Sequence, residues 1–129
     1  MADRILVVSD TQELLHLFQE ILTEAGYEVA LHAYAVQDLE PVRAVAPDLT
    51  VIDCAFGEEQ RGWQLVQTLK LCEDTAATPI LICAAAPEPG GELGQRLLDR
   101  GVSVLLKPFE RGELVRQVAD ILGAARLAG

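Results

Sequence analysis

The chain has 129 residues, half of them hydrophobic, and a formal net charge of −10. That length can bury one ordinary core without staples, and the acidity argues against direct nucleic-acid binding or attraction to anionic membranes, both of which depend on clustered Lys and Arg. The longest apolar runs are strand-sized, well short of the roughly 20 residues a membrane-spanning helix needs, and the first run, Ile5–Val8, leads into acidic residues rather than a secretion signal, so one cytoplasmic domain over residues 1–129 is expected.

A short apolar strand followed by a helical pattern recurs five times. Ile5–Val8 is a continuous apolar run, as in a strand covered on both faces. Asp10, three residues before Glu13, reads as a capping box; Leu14, Phe18, Ile21, Leu22 and Ala25 then share a helix face that Gly26 ends. Residues 27–33 can form a strand, and a short helix ends near Ala46, with Pro41 suited to its first turn. Leu49–Asp53 follows Pro47 and Asp48 as the third strand. A glycine-bounded loop from Gly57 to Gly62 precedes a helix carrying Leu65, Val66, Leu69 and Cys72. Pro79 opens the fourth unit, Ile80–Cys83, which continues through a Pro- and Gly-rich loop from Pro87 to Gly91 into a short helix with Leu93, Leu97 and Leu98. The fifth is Val102–Leu106, then Lys107, Pro108 and Phe109, then a final helix with Leu114, Val115, Val118, Ile121 and Leu122 inward. This alternation predicts an open α/β fold, a five-stranded parallel sheet with helices on both faces. In such sheets ligands bind beyond the carboxyl ends of the strands.

Three charged residues stand where apolar strands finish: Asp10 after the first, Asp53 at the end of the third, Lys107 after the fifth. Two carboxylates can hold a hard cation such as Mg²⁺, and a lysine across the crevice offsets their charge and can hold an anion. Those parts suit transfer of a phosphoryl group onto a carboxylate, a reaction that depends on positioning and charge neutralisation. Asp10 has a second reading as a helix N-cap. Asp53 next to Leu-Thr-Val-Ile needs a partner if buried.

The segments Arg4–Asp10, Pro47–Asp53, Thr78–Ala84 and Leu106–Phe109 together resemble the CheY-like receiver domain of two-component signalling, over essentially the whole chain. The resemblance implies a doubly wound, flavodoxin-like fold with strand order 2-1-3-4-5. It implies that Asp53 takes a phosphoryl group from a histidine kinase or phosphotransfer protein, as in a phosphorelay. Asp10, Asp53 and the backbone carbonyl of Ala55 would ligate Mg²⁺, Lys107 would contact the phosphoryl group, and the Lys107–Pro108 bond would be cis. Any enzymatic activity would be limited to phosphorylation and dephosphorylation of Asp53. A downstream effector protein would read the face formed by the fourth helix, fifth strand and fifth helix.

The sequence departs from that pattern at three switch positions. Ser9 replaces the first of two adjacent acids, which implies a weakened Mg²⁺ site. Ala84 stands where a Ser or Thr hydroxyl usually meets the phosphoryl oxygen, and it has no donor. Val104 replaces a Tyr or Phe that swings inward on activation, and a β-branched valine has little rotamer freedom. The loop after Asp53 lacks the usual proline and is one residue longer. Two readings follow: a receiver with degraded switching, or a pseudo-receiver that acts as an interaction module without phosphorylation.

Other chemistries fit less well. An aspartyl-nucleophile hydrolase wants a second Asp where Ala55 stands, and a corrinoid domain wants a histidine where Gln12 stands. A flavin carrier wants a glycine-containing phosphate loop, which Ser9–Gln12 does not supply. Cys54, Cys72 and Cys83 read as small apolar core residues rather than disulfide partners, and with His16 and His32 they have no metal-ligand spacing for a zinc site. Arg111, Arg116 and Arg126 read as solvated helix charges that a partner can contact, and Trp63 as packed on its helix.

Overall fold

A computed structural model describes residues 3–9, 11–32, 40–53, 59–73, 75–84 and 101–128. Strand β1 (Arg4–Val8) leads to helix α1 (Gln12–Glu24), β2 (Glu28–His32), α2 (Glu40–Val45), β3 (Leu49–Asp53), α3 (Glu59–Leu71), β4 (Ile80–Ala84), β5 (Val102–Leu106) and α4 (Arg111–Ala128). All strand pairs are parallel and the sheet order is β2-β1-β3-β4-β5, as predicted. The chain therefore leaves β1 toward one edge, returns, and builds the rest of the sheet on the other side. The crevice between the ends of β1 and β3 is where such a sheet opens to ligands.

The central strands are mostly apolar because they are covered on both faces, and successive side chains feed opposite layers. Leu6, Val8, Ile52, Ile80, Ile82 and Val102 pack with Val42 of α2 and with Val66 and Leu69 of α3. Their neighbours Ile5, Val7, Leu49, Val51, Leu81, Cys83 and Leu105 pack with Phe18 and Leu22 of α1 and with Leu114, Val118 and Leu122 of α4. Each fully buried side chain of this size stabilises the fold by roughly 1.5–3 kcal/mol relative to exposure.

Several boundaries differ from the sequence reading. Helix α1 starts one residue after its N-cap, Thr11, which makes no side-chain cap hydrogen bond, so the Asp10–Glu13 capping box does not define its start. Its buried face is Leu15, Phe18, Ile21 and Leu22; Leu14 is half-buried, and Ala25 is an exposed C-cap. Gly26, at φ 100°, supplies the left-handed residue that ends the helix. Helix α3 already runs from Glu59, so Gly62 lies inside it rather than closing a loop, and Cys72 falls just beyond its end. Residues 54–58 and the loop and helix expected at Pro87–Gly91, Leu93, Leu97 and Leu98 lie outside the described residues.

At the far end of the sheet a buried lysine closes the α3–β4 connection. Lys70 is 5% exposed, and its ammonium donates to the carbonyls of Ala76 at 3.0 Å and Thr78 at 2.8 Å. Thr75 Oγ donates to the Leu69 carbonyl at 2.6 Å and completes the turn. Removing the donor leaves carbonyls unsatisfied, at about 1–3 kcal/mol for each group that water cannot reach. Lys70→Met is therefore expected to destabilise the domain by about 2–3 kcal/mol. A urea unfolding midpoint unchanged from wild type would show that water replaces the ammonium at no cost.

Candidate functional site

Asp53 is the last residue of β3 and is 0% exposed. Strand alternation turns its side chain to the α1 side, along with that of Val51. A carboxylate there is held only if its charge is met locally. Lys107, immediately after β5, places its ammonium 2.6 Å from Oδ1, and its side chain is 24% exposed. The approach is that of an ion pair, since Oδ1 has no well-aligned hydrogen-bond donor among the described residues. Ser9, fully buried just after β1, donates its hydroxyl to Oδ2 at 3.0 Å and accepts the Thr11 backbone N–H at 3.2 Å. Residues 9, 53 and 107, far apart along the chain, thus meet at one end of the sheet.

Beside this trio lies a cleft of about 560 Å³, lined by Leu14, Leu17, Phe18 and Ile21 of α1 and by Asp53, Lys107, Pro108 and Phe109. Phe18 and Phe109 face each other across it, ring centroids 6.2 Å apart and tilted by 42°. The Lys107–Pro108 peptide bond is cis. Chemically, the arrangement presents a buried carboxylate to an opening with an amine poised for an incoming anion. The cleft itself was not anticipated. Leu14, Leu17, Phe18 and Ile21 make an apolar stripe wider than the core uses, and Leu17 remains 46% exposed. That spacing was the available signal.

Of the other residues that the sequence singles out, Asp10 and Ala55 lie outside the described residues. Ala84 pairs by its backbone with Leu106, and its side chain is likewise not described. Val104 is half-buried and packs against the layer formed with α2 and α3. On α4, Arg111 pairs with Glu24 of α1 at 3.3 Å and approaches Glu20 at 4.0 Å, while Arg116 is exposed. The side chains of Arg126 and Trp63 are not described. His16 lies 3.3 Å from Gln12 on the surface of α1, and the buried Nε2 of His32 has no hydrogen-bond partner among the described residues.

Mg²⁺ prefers hard oxygen donors. The described part of the site offers Asp53, both of whose oxygens already have partners, and the neutral Ser9 hydroxyl. No three His, Cys, Asp or Glu side chains cluster as a metal-binding set among the described residues. The donors are right in kind for Mg²⁺, with one carboxylate fewer than a pair of adjacent acids would supply. Among the described residues no helix is long and apolar enough to cross a membrane.

The family model for the response regulator receiver domain matches residues 5–119. The chain is 34% identical over 119 residues to hybrid signal transduction histidine kinase D of Dictyostelium discoideum, covering 92% of this chain and 7% of that protein. It is 30% identical over 123 residues to the chemotaxis protein CheY of Treponema pallidum, covering 92% and 82%. For the transcriptional regulatory protein PcoR of Escherichia coli the identity is 30%, covering 95% of this chain and 53% of the relative. The chain thus spans about half or less of several relatives it matches. In fold it is similar to a CheY-like receiver domain protein from Methanospirillum hungatei (TM-score 0.80, 20% identity, all of both chains). It is also similar to the chemotaxis response regulator CheY4 of Vibrio cholerae (TM-score 0.76, 23% identity, 94% of this chain and 99% of that one).

Proposed function

Because the chain belongs to the response regulator receiver domain family, we propose that Asp53 is its phosphoacceptor, taking a phosphoryl group from a histidine kinase or phosphotransfer protein. The observation that carries this reading is the buried Asp53 carboxylate with the Lys107 ammonium 2.6 Å away, both opening onto one cleft. The ammonium meets the negative charge of an arriving phosphoryl group, and the apolar walls keep water from competing with the acceptor. Asp53, Asp10 and the Ala55 carbonyl would hold Mg²⁺, which when bound adds positive charge against the phosphoryl oxygens. With Ser9 in place of an acid, that cation is held weakly.

Residues 1–129 act in this reading as one cytoplasmic receiver unit, with no chemistry beyond gain and loss of phosphate at Asp53. Its effector protein would dock on the face that includes β5 and α4. A second reading, an interaction module that needs no phosphate, is favoured by one observation. Val104 sits packed against the core where a mobile aromatic would report the state of the site.

Incubation with acetyl phosphate and Mg²⁺, followed by intact mass measurement, separates the two. The expected result is one added phosphoryl mass on the wild type and none on Asp53→Asn. No gain on the wild type, or equal gain on both, would leave only the interaction module.

A further inference from the structure

We propose that Ser9 is a positioning residue that shortens the life of a phosphoryl group on Asp53, an inference that rests on the acceptor reading above. Ser9 is fully buried, and its oxygen already accepts the Thr11 N–H, so its single proton is directed to Oδ2 of Asp53. The two carboxylate oxygens are thereby made unlike. Oδ1 faces the Lys107 ammonium, the group able to hold an anion, and Oδ2 is held by the hydroxyl. The geometry assigns Oδ1 as the atom that bonds phosphorus.

When Oδ1 attacks phosphorus, the bond from phosphorus to the donor breaks and its electron pair leaves with the donor. Oδ2 then changes from an oxygen of a carboxylate to the neutral carbonyl oxygen of an acyl phosphate. A hydrogen bond to an ionised acceptor is roughly twice as strong as one to a neutral acceptor. Ser9 therefore stabilises the free carboxylate more than the phosphorylated form. In hydrolysis, water attacks phosphorus, the P–Oδ1 bond breaks with its electron pair returning to Oδ1, and the water proton passes to phosphate or solvent. Carboxylate charge builds along that path, and the Ser9 hydrogen bond strengthens with it. An ionised acid at this position has no proton to give and would oppose the returning charge.

The test is the half-life of phosphorylated protein. Wild type, Ser9→Ala, Ser9→Cys and Ser9→Thr are phosphorylated with acetyl phosphate and Mg²⁺, freed of reagent, treated with EDTA, and followed by intact mass. Chelation removes any effect of Ser9 on the cation from the comparison. Ser9→Ala and the nearly isosteric Ser9→Cys, a weak donor, are expected to lengthen the half-life about fivefold, the difference between a charge-assisted and a neutral hydrogen bond. Ser9→Thr, which keeps the hydroxyl, should retain the wild-type half-life. An unchanged or shorter half-life in the alanine and cysteine variants overturns the proposal. So does a lengthening in alanine alone, which would mark a cavity effect, or an equal lengthening in threonine. A wild type that takes up no phosphoryl mass instead refutes the acceptor reading itself.

Discussion

Lys107→Met is expected to destabilise the domain by about 3 kcal/mol, at the lower end of the range for breaking a buried ion pair from one side. The reasoning turns on an asymmetry. Asp53 is wholly buried, whereas about a quarter of the Lys107 side chain is exposed, so removing the lysine strands a buried carboxylate without its counter-charge. Ser9 still donates to Oδ2, and one hydrogen bond does not replace an ammonium. Asp53→Asn introduced into the same chain removes the stranded charge and should restore most of the loss. Urea unfolding of the wild type, both single variants and the double variant gives the coupling directly. It is expected to be about 2 kcal/mol, within the range for groups in contact. A coupling near zero would show that Lys107 does not contribute to holding Asp53.

Phe18→Ala should cost about 3–5 kcal/mol, as for other buried aromatic truncations. Phe18 is 2% exposed and belongs to the layer beneath α1 and α4, and its ring is the one that Phe109 leans on. Phe109 lies two residues after Lys107, so losing the ring also loosens the segment that aims the ammonium. Thermal unfolding is expected to show the stability loss. The rate of phosphoryl uptake from acetyl phosphate, measured well below the melting temperature, should fall too. Phe18→Leu refills most of the volume and should recover most of the stability. If the alanine variant melts like wild type, α1 does not depend on this contact. If uptake is unaffected while stability drops, the aromatic pair supports the fold without aiming Lys107.

The parallel sheet was legible because short, mostly apolar strands alternate with helical patterns, and cover on both faces follows from that, whereas the strand order came from the resemblance to receiver domains. Helix starts were less legible. Asp10 and Glu13 have the right spacing for a cap, yet Thr11 is the capping position, because entry into α1 is set by where β1 and Ser9 leave the sheet. Gly62 looked like the end of a loop, but α3 accommodates it in its first turns, where one glycine costs only about 1 kcal/mol.

At the site, Asp53 and Lys107 could be picked out by their places at strand ends. The role of Ser9 could not, because a serine after a strand gives no hint of which distant side chain its hydroxyl reaches. Lys70 was equally hidden. A helical lysine reads as solvated until the turn that folds over it is seen.

The strand order also has a consequence for synthesis. β3 pairs with β1, which precedes it, but the lysine that balances Asp53 arrives only after β5. At about 5–20 residues per second, the nascent chain carries its acidic residue for several seconds before its counter-charge leaves the ribosome. During that interval the carboxylate must stay hydrated, so the last edge of the sheet and the completed pocket are expected to form together.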